Sequence, residues 1–362
     1  MGKDTGSSHL IPDTNTVLFL YVRFLFFGSY TFVTRPITLT NRNLKTMRLI
    51  SLTTLLCLSV LTVACDRKAP AIKGEYPLTK LTDHIYLVQG PNEIPTPANQ
   101  GFMNNPGFVL TSKGVVVIDP GSSIQVGNLV LEKIASVTKD PVIAVFNTHI
   151  HGDHWLGNGA IRQAYPKAVI YAHPKMIEKT GVEGENWIQT MLQLTDGGTK
   201  GTTAVVPDLG IENDETLTLG NTHFRIYHTG QAHTDGDIMI EVVEEKTMFM
   251  GDNAVVERTG RMDDGNFLGN VLACEVALKS AAIHFVPGHG KPNGRDVVTA
   301  YRDWLKTLYG SVQKYYARGM SDFAMKDKVI ADLKPYQKWA MFDSEIGKLI
   351  SLAWLQVEQA SF

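Results

Sequence analysis

The chain has 362 residues, 44% of them hydrophobic and 19% charged, with a formal net charge of -2 at pH 7. That length and composition suit a globular enzyme with a sizeable core, either one large α/β domain or two average ones. With no dense Lys/Arg block, nucleic acid is not an expected partner, because phosphate binding needs clustered positive charge.

Residues 1–46 show no pattern of a folded domain, and the apolar run from Val17 to Val33 is too short and too interrupted, by Arg23 and Gly28, to span a membrane. Met47-Arg48 opens an export signal with a basic start, an apolar stretch from Leu49 to Val63, and small residues before Cys65. Residues 1–46 then read as a leader upstream of the native start at Met47, with a genuine cytoplasmic leader as the alternative. Residues 47–64 are the signal peptide. Leu61-Thr62-Val63-Ala64-Cys65 resembles a bacterial lipobox, although Thr62 stands where that motif has leucine. Lipidation would anchor the chain to the membrane through Cys65, and Asp66 resembles the inner-membrane retention signal of enteric bacteria. Plain cleavage at the small-x-small site Thr62-x-Ala64 is the alternative, and both routes place the protein in the periplasm or cell envelope. Cys57 and Cys65 belong to or border this segment, so Cys274 is the one cysteine left for the body and no disulfide framework follows.

Residues 65–77 read as a polar tether. Short apolar strands are predicted at Ile85–Val88, Gly107–Leu110 and Val115–Ile118, the last two joined by the Ser112-Lys113-Gly114 turn. Pro91 to Pro106, rich in Pro and Asn and carrying Phe102 and Met103, is expected to be a mobile loop over a site. Helical spacing covers Val126–Val137 and Gly157–Tyr165, with a buried strand at Val142–Phe146 and another at Ala168–Ala172. Residues 181–207 look like a long irregular insertion. Further strands are expected at Glu215–Leu219, Phe224–Tyr227, Asp237–Val243, Thr247–Met250 and Ile283–Val286. Helices with apolar stripes follow at Arg295–Ala317, Asp322–Leu333 and Asp343–Gln359, where Trp304, Tyr309, Trp339 and Trp354 are packing residues.

The chemistry concentrates just after the Val142–Phe146 strand, in Asn147-Thr148-His149-Ile150-His151-Gly152-Asp153-His154-Trp155. Three histidines and an aspartate fall within six positions. His149 and His151, two apart, share one face of an extended segment and can grip a single ion. Asp153 and His154 follow the Gly152 turn and can face a second. Imidazole nitrogen and carboxylate oxygen are what zinc, manganese or iron accept. Three more motifs each follow or link strands: Gly230-Gln231-Ala232-His233-Thr234, Gly251-Asp252-Asn253 and Pro287-Gly288-His289-Gly290. Among the remaining histidines, His84, His223 and His284 fall in strand patterns as surface or core residues, and His173, before Pro174, reads as structural.

In this order, the motifs resemble those of the metallo-β-lactamase superfamily over roughly residues 78–295. The resemblance implies an α/β fold, the four-layer αββα sandwich, here with a helical C-terminal extension over residues 296–362. It implies two divalent metal ions, zinc first, with manganese or iron as alternatives. His149, His151 and His233 would bind the first ion and Asp153, His154 and His289 the second, with Asp252 bridging. Asp119, ending an early strand, matches the aspartate that orients a ligand histidine. Asp153 and Asp252 are the candidate catalytic residues. Two ions ~3.5–4 Å apart share a hydroxide at neutral pH, which Asp153 orients or deprotonates.

The implied activity is hydrolysis of an activated ester, thioester, lactone or amide in a small molecule. Asp252 with His154 and His289 is similar to the pattern of hydroxyacylglutathione hydrolases, lactonases and exported hydrolases associated with sulfur oxidation and quinoproteins. β-Lactam hydrolysis, an iron-dependent sulfur dioxygenase and a non-hydrolytic metal-binding protein are the alternatives. A flavodiiron reductase would need a flavin domain, and a non-catalytic member would have lost ligands. The 91–106 loop, the 181–207 insertion and Arg258–Phe267 are expected to wall the pocket, with Phe102 and Trp187 on it and Arg258 or Arg261 pairing with a substrate carboxylate.

Overall fold

The computed structural model describes residues 71–362. The leader, the export signal, Cys65 and the start of the tether lie outside the described residues. The chain begins to pack before Leu78, because Ile72 and Tyr76 are apolar: both lie on a small core cluster, and Tyr76 meets Phe102 edge to face at 4.7 Å.

A first sheet runs in sequence order, β1 (Leu78–Lys80), β2 (Ile85–Val88), β3 (Gly107–Thr111), β4 (Gly114–Ile118), β5 (Val142–Phe146), β6 (Val169–Ala172) and β7 (Leu209–Gly210). Pairing is antiparallel from β1 to β4 and parallel from β4 to β7. Parallel neighbours need crossovers, supplied by α1 (Ile124–Val137) and then by α2 (Gly152–Trp155) and α3 (Asn158–Ala164). Ser123 caps α1 by accepting from Val126 N. Strand β4 is a continuous apolar run because both its faces are covered: Val116 and Ile118 face the second sheet, Val115 and Val117 the helices.

The second sheet is ordered β12 (His284–His289), β11 (Thr247–Val255), β10 (Met239–Val242), β9 (Thr222–Tyr227) and β8 (Thr216–Leu219). In β9, Phe224 and Ile226 point to the core while His223 and Arg225 are exposed, the period-two alternation of a half-covered strand. Residues such as Ile85, Val109 and Phe146 from one sheet and Phe224, Ile240 and Val286 from the other form the inter-sheet core. Helices cover the outer faces, giving the four-layer αββα sandwich with its helical extension.

Helix α4 (Pro174–Leu194) occupies much of the expected irregular insertion. Its apolar positions Met176, Ile188 and Met191 pack with Trp155, although Gly181 and Gly184 weaken the helical signal in the sequence. Helix α5 (Phe267–Lys279), capped by Asn266, was hidden because its residues are apolar on every side. Strand β11 continues through Gly251-Asp252-Asn253 instead of ending before it. The extension comprises α6 (Arg295–Tyr316), α7 (Asp322–Asp332) and α8 (Phe342–Gln359), and its Trp304 and Tyr309 are buried in the core that covers the second sheet, with Trp339 and Trp354 against them. Among the described residues no helix is long and apolar enough to cross a membrane.

Candidate metal centre

The carboxyl ends of several strands meet at one edge of the sandwich, the usual place for a site in open α/β sheets. Asp119 follows β4, the His149–His154 run follows β5, His233 lies between β9 and β10, Asp252 is in β11 and His289 ends β12. The fold brings seven side chains into two groups: His149, His151, His233 and Asp252, and Asp153, His154 and His289. All seven are buried. Every residue assigned to the ions from the motifs therefore lies in this cluster.

Asp252 stands between the groups. Its Oδ2 is 3.5 Å from His233 Nε2 and 3.3 Å from His289 Nε2, and its Oδ1 is 3.2 Å from His154 Nε2. Asp153 Oδ2 lies 3.1 Å from His289 Nε2 and 3.5 Å from His154 Nε2. His233 Nε2 and His151 Nδ1 face each other at 2.9 Å. Gly288 allows this packing, because a Cβ there would fall 1.8 Å from Asp252 Oδ1.

The outward nitrogens decide which lone pairs face the centre. Asp119 accepts from Thr148 N at 2.8 Å and from Thr148 Oγ1 at 2.7 Å, and contacts His154 Nδ1 at 2.8 Å. Thr148 Oγ1 in turn lies 3.0 Å from His149 Nδ1. His289 Nδ1 meets the Met103 carbonyl at 2.8 Å, and His151 Nε2 meets Asp264 Oδ2 at 3.0 Å. His149 Nε2, His154 Nε2 and Asp252 Oδ1 are buried without a hydrogen-bond partner. Orphaned buried polar atoms at the meeting point of two carboxylates and five imidazoles fit divalent metal, since burial without a partner is otherwise costly.

Charge follows the same division. Burial first, then the neighbouring His154 and His233, holds His149 well below its ordinary pKa, and burial pushes His233 down to about 3. Burial opposes charge on His154 too, but Asp153, Asp252 and Asp119 overcome it and raise its pKa well above the ordinary value. His289 is raised by Asp252 against burial. Burial would raise Asp153 and Asp252, yet the charges on His154 and His289 hold both low. In the metal-free chain the surrounding carboxylates favour the protonated form of His154, so metal and proton compete there. Metal loading is expected to release protons, and affinity to rise with pH. Calorimetry in buffers of different ionisation enthalpy checks this, and a heat of binding independent of buffer would contradict it.

The 91–106 loop is pinned instead of hanging free. Asn105 Nδ2 donates to Pro287 O at 2.9 Å and Gly290 O at 2.7 Å, and Asn104 Nδ2 donates to Asp119 O at 3.1 Å. Phe102 is fully buried in the core, so it does not line a pocket. The Trp187 ring, partly buried, lies 5.2 Å from the His151 ring, with the Arg261 guanidinium over it at 5.3 Å. Arg258 is only 7% exposed: its Nη1 donates to Glu93 O at 3.1 Å and sits 3.5 Å from His289 Nδ1. His84 and His223 pair with surface glutamates, and His173 caps α4 and stacks on His228 at 3.9 Å, so none of these joins the cluster. The Cys274 thiol is buried, donates to Asn253 O at 3.2 Å, and is pushed up to about 12 by burial. Asp264 carried no signal in the sequence, standing in an unremarkable Met262-Asp263-Asp264-Gly265 run far from the motifs. Thr148 was readable only as the neighbour of His149.

The family model described as the metallo-beta-lactamase superfamily matches residues 100–311. A hydroxyacylglutathione hydrolase of Francisella tularensis subsp. novicida is 25% identical over 247 residues, covering 66% of this chain and 82% of that protein. Among solved structures, a metallo-beta-lactamase from Pontibacter korlensis superposes with a TM-score of 0.51 at 20% identity, over 64% of this chain and 99% of that one. A stereoselective inverting sec-alkylsulfatase from Pseudomonas sp. superposes with a TM-score of 0.59 at 17% identity, over 78% of this chain and half of that one. At those identities the two structures speak for the fold alone.

Proposed function

The chain belongs to the metallo-β-lactamase superfamily and is a metallo-hydrolase, and from that premise we propose that it is an exported dinuclear enzyme cleaving an activated acyl bond, an ester, thioester or lactone, in a small molecule. The observation that carries the proposal is Asp252, a carboxylate within reach of both histidine groups. His149, His151 and His233 would hold one ion, Asp153, His154 and His289 the other, and Asp252 both, with zinc the first choice for this imidazole-rich set. When bound, two such ions supply Lewis acidity and water acidified to near-neutral pKa.

The chain's own groups do the rest. His149 and His233, kept neutral by burial, offer lone pairs without a proton to lose. Asp153, ionised and set against His289, accepts a hydrogen bond from water and orients it. Trp187 gives the exposed side an aromatic wall, with Arg261 over it paired to Asp263. The similarity to a hydroxyacylglutathione hydrolase, whose name denotes a thioesterase, favours acyl-thioester over β-lactam cleavage.

A hydrolase panel of thioesters, aryl esters, lactones and a chromogenic cephalosporin, run on zinc- and manganese-loaded protein, tests this. Thioester or ester turnover should exceed cephalosporin turnover, and the reverse order would favour the lactamase alternative. Export, and a mature N-terminus at Cys65, rest on the Met47–Ala64 pattern. Intact-mass analysis from a bacterial host should find the chain starting at Cys65, and a cytosolic product retaining residues 1–64 would refute it.

A further inference from the structure

We propose that the helical C-terminal extension is part of the metal centre's support: α8 holds the 257–267 loop, and Asp264 of that loop is the positioning residue for His151. This rests on the metal-binding role of the cluster and goes beyond it, giving the extension a task and adding a residue outside the motifs.

His151 is held differently from its neighbours. His149 and His154 lean on Thr148 and Asp119, and His289 on the Met103 carbonyl, all from within the sandwich. His151 alone among the four leans on the 257–267 loop, through Nε2 to Asp264 Oδ2 at 3.0 Å. A carboxylate outside forces Nε2 to carry the proton. The lone pair is then on Nδ1, the atom that faces His233 Nε2 at 2.9 Å. Trp187 beside the ring limits the ways it can turn.

Asp264 is half exposed, and a loop carboxylate at the surface is a poor anchor unless its backbone is fixed. The extension fixes it on both sides. Upstream, Ala340 N donates to Glu257 O at 2.8 Å and Thr259 N to Ala340 O at 3.1 Å, a short parallel bridge centred on Arg258. Downstream, Gln356 of α8 accepts from Phe267 N at 3.0 Å through Oε1 and donates to Gly265 O at 2.8 Å through Nε2. The residue next to Asp264 is thereby clamped. Lys348, about two turns earlier on α8, pairs with Asp263 at 2.8 Å. The same loop supports the other half of the His151–His233 pair. Asn266 N donates to Ala232 O at 2.7 Å, Gln231 Nε2 donates to Asp264 O at 3.0 Å, and Gly265 packs so closely that a Cβ would lie 2.8 Å from Ala232 O and 2.9 Å from His233 O. One loop, set by the extension, therefore braces two of the three histidines expected on the first ion.

The test uses the full chain with Asp264→Ala, Asp264→Asn, Asp264→Glu and Gln356→Ala, read by chelator competition and by the visible spectrum of the cobalt(II)-loaded protein. Losing an outer partner of a metal-bound histidine costs about 10–100-fold in metal affinity. Asp264→Ala should show such a loss for the first ion with a changed cobalt spectrum. Asp264→Asn, still able to accept from Nε2, should fall between it and the parent, and Asp264→Glu should recover part of the loss. Gln356→Ala should move affinity and spectrum in the same direction by a smaller factor, with the circular dichroism of the sandwich unchanged. Unchanged affinity and spectrum in both Asp264→Ala and Asp264→Asn would overturn the positioning role, and the same result in Gln356→Ala would overturn the part assigned to α8. A parent protein that binds two ions yet cleaves nothing in the panel would refute the hydrolase proposal and leave this one standing. A parent that binds no divalent metal would overturn both.

Discussion

Asp252→Ala is expected to lower kcat/KM for the best acyl substrate by about 10³-fold, the scale of losing a main electrostatic group at a reaction centre. The reason is its position: among the described residues no other carboxylate lies within about 3.5 Å of histidines from both groups, through contacts to His154, His233 and His289. Without it, ions held by the two groups would lose the anionic ligand proposed to serve both and would repel each other less screened. The second ion should be lost before the first. His149 and His233 are held neutral by burial and keep binding metal, whereas His154 is a site where protons compete with metal. Metal analysis after dialysis should find about one ion retained per chain. Asp252→Cys should keep metal but shift the preference towards softer ions. An Asp252→Ala protein that keeps both ions and full turnover would reduce Asp252 to a strand residue orienting its neighbours.

Asp119→Ala should cost both stability and metal. The carboxylate accepts from Thr148 N and Thr148 Oγ1 and contacts His154 Nδ1, all buried. Truncation leaves Thr148 N and His154 Nδ1 without partners and Thr148 Oγ1 with His149 alone, and each orphaned group costs about 1–3 kcal/mol when it cannot reach water. Alanine also inherits the left-handed backbone, φ 50°, that aspartate tolerates better than most residues. A loss of roughly 3–5 kcal/mol of unfolding free energy is expected, within the range for breaking a buried network. His154, free to turn, should bind its ion about 10–100-fold more weakly. Asp119→Asn restores the shape with one acceptor fewer and should recover part of the stability. Chemical denaturation with and without zinc measures both effects. An alanine variant as stable as the parent, with unaltered zinc stoichiometry, would refute the account.

Some residues were legible in the sequence because their chemistry is local. His149, His151, Asp153 and His154 are adjacent in the chain, so a strand followed by a glycine turn suffices to aim them together. His233, Asp252 and His289 announced themselves through short glycine motifs whose backbone demands are severe, as the contact of Gly288 with Asp252 shows. Strands were visible for a related reason: a run such as Val115–Ile118, buried on both faces, has no freedom to be polar. Helix α5 escaped because its exposed face also carries apolar residues, Leu268 and Leu272, which removes the 3.6-residue alternation that marks a helix, and α4 because its glycines and polar surface dilute it.

The sequence by itself determined which residue types could hold metal and their order after the strands, since both depend on local pattern, while the two-sheet architecture came with the resemblance those motifs carry. The tertiary structure decided what lies behind those ligands. Phe102 went to the core and Arg258 to a buried place beside His289. Asp264 reached His151 across 113 positions of chain, on a loop set by Gln356 a further 91 positions from Gly265. Such partners are chosen by where two distant backbones happen to meet, and a half-exposed aspartate that supports an imidazole has the same sequence as one that faces only water.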